Sequence, residues 1–308
     1  MIFTAEQYAV FQNCSIPAAV RAMAALKTSF TAGHIGKQTR PWFVVDFPSL
    51  HPADATLVGF EIETGFQTVE AQSNFLNWMW DNTSYTTVDR EGCSRCPTEI
   101  TFPPMQLSLL TSDASPIKAM LDYNETLPAA GRLQTTRITP SNDNGGCVGC
   151  HTNISTAAYR GLASNEQRVQ VANHIALFFR NLNTAQRYAI QGRSPYTSEV
   201  ACNRGGTGDG ANRIEFKMFH TTTDQEQFSN YLKVSKRLAE LIDAQCASPT
   251  RSIITDPLRT FAFLTQDLED GSVIRRGNQQ YTASIVDAAA AAGRAAAAQW
   301  QGQLAAAA

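Results

Sequence analysis

The sequence predicts an α/β (α+β) fold in which helices pack on one face of a curved, mostly antiparallel sheet. Segments in which apolar side chains alternate with polar ones indicate strands, and longer segments with apolar side chains three or four residues apart indicate helices. Several strands are each followed by a helix or a long connection, as in a sheet covered on one face. The chain has 308 residues, of which 43% are hydrophobic, and can therefore bury a substantial core.

Alternation of apolar and polar side chains identifies the strands. Val58, Phe60 and Ile62 alternate with glycine and glutamate and predict a strand with one apolar face. Other short apolar or alternating segments predict strands at residues 42–47, 85–89, 99–102, 150–154 and 213–219.

Helical spacing and capping residues identify the helices. Apolar spacing predicts a helix over residues 67–81. Ser164 followed by Gln167, and Thr223 followed by Glu226, have the spacing of a capping box and predict two longer helices. Two short helices are expected near the N-terminus and an Ala-rich one at 288–308. We expect one main domain over residues 1–250 and a mostly helical C-terminal extension over 251–308.

The charge balance argues against a nucleic-acid or membrane partner. The chain has 25 lysine and arginine residues against 27 aspartate and glutamate residues, a formal net charge of −2, so no strongly basic surface is expected. No apolar run approaches the roughly 18 residues of a membrane span, and the first ten residues lack the features of a secretion signal. We therefore expect a soluble, cytoplasmic protein.

Three predicted strands carry polar side chains two residues apart, which places both members of each pair on one face. The pairs are Glu61 and Glu63, His151 and Asn153, and Glu215 and Lys217. On the first and third of these strands the opposite face is apolar. A sheet built from them has one face against helices and another that carries carboxylates, an imidazole and a cation.

Clustered carboxylates require compensation, because two unit charges about 4 Å apart repel by about 4 kcal/mol at an effective dielectric constant near 20. Divalent cations with oxygen ligands commonly supply it, and one histidine can add a nitrogen ligand. The alternative is that the charges mark the solvated side of an antiparallel sheet. Polar pairs on three strands, one with a histidine, favour the metal site.

Four motifs in these segments resemble those of the glutamine-synthetase-like carboxylate-amine ligases, including the amidoligases. Residues 60–63 resemble the strand that opens the catalytic core, and residues 144–156 resemble a Gly-rich strand that presents His-Thr-Asn. Residues 213–217 resemble a late strand of the family, and residues 89–103 resemble a segment in which an aspartate is followed by Glu-Ile and proline. The motifs occur in the family's order. The resemblance implies a fold like the catalytic domain of glutamine synthetase.

The resemblance also implies which residues form the site. The implied ligands of two Mg²⁺ or Mn²⁺ ions are Glu61, Glu63, Glu99, His151 and Glu215, with Asp89 near them. The implied contacts to ATP, phosphate or a substrate carboxylate are Arg193, Arg213, Lys217 and Asn153. Lys217 occupies a position where the family has arginine, and lysine offers a point charge in place of a planar fork.

The activity that the resemblance implies is ATP-dependent amide formation. A carboxylate on a small molecule or peptide is converted to an acyl phosphate, which an amine then attacks. Glu99 is the implied acceptor of the amine proton, and Lys217 the second implied catalytic group. Assembly into a homo-oligomer is left open. The alternative is a catalytically inactive structural or interaction protein with the same fold, which the departure at Lys217 favours.

The cysteines allow two further hypotheses. Two CxxC pairs, Cys93 with Cys96 and Cys147 with Cys150, could hold a structural zinc ion or could be buried thiols. Residues 147–151 also spell the CxxCH of covalent haem attachment, with Met218 as a candidate distal ligand. A c-type cytochrome is the less favoured alternative, because attachment normally needs export.

Overall fold

The protein is described from a computed structural model that covers residues 52–83, 87–89, 98–102, 104–113, 115–135, 149–182 and 212–268. The described residues fall into two compact units. The first holds those of Met1–Asn153 together with Thr221–Gln225, and the second those of Ile154–His220 and Glu226–Ala308. The strand predicted at 42–47, the short N-terminal helices and the Ala-rich helix lie outside the described residues.

The described strands form one open sheet. They are β1 (Leu57–Thr64), β2 (Thr87–Asp89), β3 (Thr98–Thr101), β4 (Met105–Gln106), β5 (Gly149–Ser155) and β6 (Ile214–His220). Their order is β2-β3-β1-β5-β6, and β4 also pairs with β1. The β1–β3, β1–β4 and β2–β3 pairs are antiparallel. The predicted mixed α/β class is confirmed.

Helices follow most of these strands. They are α1 (Val69–Thr83), α2 (Leu107–Leu110), α3 (Pro116–Thr126), α4 (Ala157–Arg160), α5 (Asn165–Asn181), α6 (Gln225–Cys246) and α7 (Pro257–Thr265). A 3₁₀ turn spans Ala129–Gly131. None of the helices in the described ranges combines the length and the hydropathy that a bilayer crossing requires.

The helix starts follow the capping prediction in one case and differ in the other. At α5, the Ser164 hydroxyl accepts a hydrogen bond from the Gln167 N–H at 3.2 Å, and the Gln167 side chain accepts one from the Ala163 N–H at 3.0 Å. These contacts satisfy backbone donors that lack intrahelical partners. Helix α6 begins at Gln225, so the capping position belongs to Asp224. The predicted cap, Thr223, lies one residue too early.

In the first unit, helices α1 and α3 cover the apolar face of β1 and β3. Ile62 lies directly opposite Ile100, and residues opposite each other share a face. The Gln72 amide of α1 donates a 2.7 Å hydrogen bond to the Thr98 hydroxyl on that same face. Phe75 of α1 packs against Tyr123 of α3 at a centroid distance of 5.5 Å. The helices therefore leave the other face of β1 and β3 for the polar side chains.

In the second unit, aromatic contacts join β6 to helices α5 and α6. The ring centroids of Phe216 and Phe179 of α5 lie 6.1 Å apart in an edge-to-face arrangement. Phe219 stacks on Tyr231 of α6 with a centroid distance of 4.1 Å. All four rings are buried. Arg237 of α6 binds Asp267, just beyond α7, at 2.7 Å. Aromatic packing against α5 and α6 therefore holds β6 in the second unit.

Truncation of Phe75 tests the packing of α1 on the sheet. This ring is fully buried and contacts Phe66 at 5.3 Å as well as Tyr123. We expect Phe75→Ala to lower the free energy of unfolding by about 3–5 kcal/mol, through lost burial and a residual cavity. The matched control is Leu177→Ala, because Leu177 is 53% exposed and should cost less than about 1 kcal/mol. Equal losses in urea denaturation would contradict the packing described above.

Candidate metal centre

The antiparallel register aligns acidic positions across three strands. Glu63 of β1 lies directly opposite Glu99 of β3, and Glu99 lies opposite Asp89 of β2 in the backbone ladder. Glu61, two residues earlier on β1, lies opposite Thr101. Glu61 and Glu99 are each only 6% exposed. Glu61, Glu63 and Glu99 therefore place negative charge on the face opposite the helices, and like charges directly across a sheet destabilise it.

The imidazole of His151 lies between two of these carboxylates. Its Nε2 is 3.1 Å from Glu63 Oε1, and its Nδ1 is 3.5 Å from Glu61 Oε2. The side chains of His151, Glu61 and Glu63 are 6%, 7% and 12% exposed, respectively. Strand alternation explains why one imidazole contacts both carboxylates, because Glu61 and Glu63 share one face of β1. A buried cluster of this kind is not the solvated face of a sheet.

The second oxygen of the Glu63 carboxylate is held by the backbone of β5. The Gly149 N–H donates a hydrogen bond to Glu63 Oε2 at 2.7 Å. Both oxygens of this carboxylate are therefore oriented by β5, one through the Gly149 amide and one through His151. On β3, the Thr101 hydroxyl donates to Glu99 Oε1 at 3.1 Å. Sequence reasoning missed Gly149 and Thr101, because neither residue type signals a site.

The two carboxylates change the protonation of His151. Burial alone lowers the pKa of an imidazole, because it disfavours the charged form. The hydrogen bonds to Glu61 and Glu63 and their negative charges outweigh burial and raise the pKa of His151 from 6.5 to about 9. In the absence of a bound cation, the imidazole therefore carries a proton at neutral pH. Its positive charge offsets part of the repulsion between Glu61 and Glu63.

Asn153 adds an oxygen donor to this cluster. Its Nδ2 donates a hydrogen bond to Glu61 Oε1 at 3.2 Å. Its Oδ1 is buried and accepts no hydrogen bond from the described residues, although the residue is only 6% exposed. A buried carbonyl oxygen without a donor is costly, and coordination of a cation would satisfy it.

Strand β6 brings the remaining predicted pair together. The Lys217 ammonium lies 3.4 Å from Glu215 Oε1, with side-chain exposures of 21% and 14%. The two residues share a face, as their spacing predicts. Arg213 immediately precedes β6 and is half-buried.

Glu61, Glu63 and His151, all in the first unit, form a cluster that can hold a metal ion. Carboxylate oxygens and an imidazole nitrogen, with the Asn153 amide hydrogen-bonded to Glu61 at 3.2 Å, suit a hard divalent cation such as Mn²⁺ or Mg²⁺. The donor set and the buried, unsatisfied amide oxygen both fit such an ion.

Several predicted groups lie outside the described part of the structure. Asp89 lies opposite Glu99 in the backbone ladder, and its side chain is not among the described groups. Arg193, Cys93, Cys96 and Cys147 lie outside the described residues, so the zinc hypothesis and the contact from Arg193 stay predictions. Cys150 is buried on β5, and strand alternation directs it away from the face that carries His151.

The geometry at His151 also bears on the haem alternative. The carboxylates of Glu61 and Glu63 lie beside the ring nitrogens of His151, and carboxylate oxygens are typical ligands of hard divalent cations and not of haem iron. Met218, the candidate distal ligand, is 1% exposed in the core of the second unit, where methionine commonly serves packing. The arrangement supports a cation site and gives no support to haem attachment.

Comparisons with known proteins add little. No family model and no curated protein matches this sequence. A solved structure described as a novel glutamine synthase homolog is similar over 92% of this chain and 72% of its own, with 14% sequence identity and a TM-score of 0.36. A similarity of this size does not establish a shared function.

The raised pKa of His151 predicts how stability depends on pH. A group whose pKa is higher in the folded state stabilises fully below its unfolded pKa, near 6.5, and this contribution is lost as pH rises through about 9. With EDTA present, we expect the free energy of unfolding to fall by about 3 kcal/mol over that interval, since each pKa unit corresponds to about 1.4 kcal/mol.

Urea denaturation at a series of pH values measures this effect. His151→Gln should flatten the profile between pH 6.5 and 9, whereas His174→Gln, a matched substitution on α5, should leave it intact. An unchanged profile in His151→Gln would show that the imidazole does not hold the proton between Glu61 and Glu63.

Proposed function

We propose that this protein is a divalent-metal- and ATP-dependent ligase that joins a carboxylic acid to an amine through an acyl phosphate. The observation that carries the proposal is the buried cluster in which Glu61 and Glu63 enclose His151. Burial of charged groups without a compensating role is costly. A divalent cation bound between these groups would offset the cost of burying their charge and would take part in the reaction.

The positions of the family-like motifs support the proposal. Three of the four are on neighbouring strands: Phe60-Glu-Ile-Glu63 on β1, Glu99 on β3 and His151-Thr-Asn153 on β5. Glu215 of the fourth lies on β6. Glu61, Glu63 and His151 belong to two motifs that are distant in the sequence, and they meet in one buried cluster.

The acidic residues and His151 have proposed roles as metal ligands and as the proton acceptor. A bound divalent cation would neutralise phosphate charge and orient the reactants. Glu61, Glu63 and His151 are its proposed ligands. The Glu99 carboxylate, which accepts a hydrogen bond from Thr101, is the proposed acceptor of the proton that the attacking amine loses.

Lys217 and Arg213 are the proposed contacts for phosphate or for the substrate carboxylate. Lysine binds phosphate as a point charge and arginine as a planar fork. Asn153 is proposed to contribute its Oδ1 to the cation, while its Nδ2 holds the Glu61 carboxylate.

The pairing on β6 favours a second candidate, a catalytically inactive protein of the same fold. Lys217 lies 3.4 Å from Glu215, and a lysine held by its own strand neighbour can serve charge neutralisation in place of phosphate binding. In this candidate the cluster binds a cation for stability alone. ATP turnover separates the two candidates, because only the ligase consumes ATP.

An acyl-phosphate trap tests the ligase. The full chain is incubated with ATP, Mn²⁺ or Mg²⁺, a mixture of carboxylic acids, and hydroxylamine, a small amine that converts acyl phosphates to hydroxamates. We expect ATP-dependent hydroxamate and phosphate release, both abolished by EDTA. Glu61→Gln should reduce the rate by about 100-fold or more, since even groups behind metal ligands are worth about 10- to 100-fold.

Glu125→Gln is the matched control, because Glu125 is exposed on α3 and should keep the rate within about twofold, as surface substitutions usually do. Mn²⁺ binding without ATP turnover would favour the inactive candidate. Equal Mn²⁺ affinity in the wild type and in Glu61→Gln would reject both.

A further inference from the structure

The hydroxyl of Thr221 connects the two strands that enclose the candidate metal centre. Thr221 directly follows β6 and is 1% exposed. Its Oγ1 lies 2.5 Å from the Glu63 carbonyl oxygen and 2.8 Å from the Gly149 carbonyl oxygen. A hydroxyl has one proton to donate, so it either shares this proton between the two carbonyls or alternates between them.

These two carbonyls belong to residues that are also joined through a side chain. The Gly149 N–H donates to the Glu63 carboxylate at 2.7 Å. Thr221, Gly149 and Glu63 therefore form a closed ring of hydrogen bonds that fixes both the main chain and the side chain of Glu63. The same carboxylate contacts His151 at 3.1 Å, so the ring determines where the imidazole meets its acidic neighbour.

The opposite edge of β1 is held independently of Thr221. Residues Glu61 to Thr64 pair with Thr98 to Thr101 of β3, and those backbone pairs do not involve the hydroxyl. Loss of the hydroxyl should therefore leave β1 in the sheet and change mainly the distance between the end of β1 and the start of β5. A positioning role of Thr221 therefore predicts a changed site in a folded protein, whereas a purely structural role predicts a loss of folding.

We infer that Thr221 is a positioning residue that sets the geometry of Glu63 and His151 and thereby the affinity of the centre for a divalent cation. The inference rests on the proposed function, because it assigns Thr221 to the proposed metal centre. Ligand geometry in such sites must be held to within about 0.5 Å, and partners that orient metal ligands are worth about 10- to 100-fold in affinity.

The test compares three variants of the full chain. Thr221→Val removes the hydroxyl and keeps the shape, whereas Thr221→Ser keeps the hydroxyl and removes a methyl group. Thr265→Val is the matched control, because Thr265 is also buried and its hydroxyl also donates to backbone carbonyls, those of Phe261 and Ala262. Mn²⁺ affinity is measured by titration calorimetry after EDTA treatment and dialysis. Hydrogen exchange of the Gly149 amide is measured by NMR.

We expect Thr221→Val to weaken Mn²⁺ binding by about 10- to 100-fold and to speed exchange of the Gly149 amide by about tenfold or more. Thr221→Ser and Thr265→Val should keep both values near those of the wild type. Unchanged Mn²⁺ affinity in folded Thr221→Val overturns the inference. So does failure of both Thr221→Val and Thr221→Ala to fold, which would assign the hydroxyl to the fold alone.

The two readouts distinguish this inference from the proposed function. If the wild type binds no Mn²⁺, the proposed function fails, and the Gly149 amide alone decides the role of Thr221. Faster exchange of the Gly149 amide in Thr221→Val then supports the inference that the Thr221 hydroxyl positions Glu63. Exchange equal to that of the wild type overturns it.

Discussion

The structure of the first unit depends on one electrostatic constraint, the repulsion between carboxylates held on one face of β1. Glu61 and Glu63 cannot turn away from each other, because Phe60 and Ile62 occupy the opposite face and are buried. Glu99 is added directly across the ladder. Hydrogen bonds from Gly149 and Asn153 and the positive charge of His151 relieve this repulsion, and in the proposed metal centre a divalent cation would take over that role.

Strand and helix positions were predictable where one face of an element differs from the other. Alternation along β1 was recognisable because Phe60 and Ile62 are apolar and their neighbours are not, and Ser164 marked the start of α5 through its capping geometry. Strand β4, with two residues, is too short for any period to be detected. Thr223 was wrong as a cap because the helix begins two residues later.

Spacing alone predicted the candidate site as pairs of residues, and the family resemblance was needed to group these pairs into one ligand set. Spacing of two along a strand fixes a shared face, which placed Glu61 with Glu63 and Glu215 with Lys217. It does not fix which residues lie opposite one another on different strands, so the alignment of Glu63 with Glu99 depends on tertiary pairing. Thr221 was beyond sequence reasoning, because it contacts a carbonyl 158 positions away and threonine has many other uses.

The ladder between β1 and β3 also limits how the chain can misfold. A shift of β3 by one residue would put Ile100 across from Glu63 and turn the Glu99 carboxylate toward the aromatic side chains of α1, since a one-residue slip exchanges the faces of a strand. The acidic residues thus penalise a one-residue slip, and the chemistry of the site contributes to the accuracy of strand assembly.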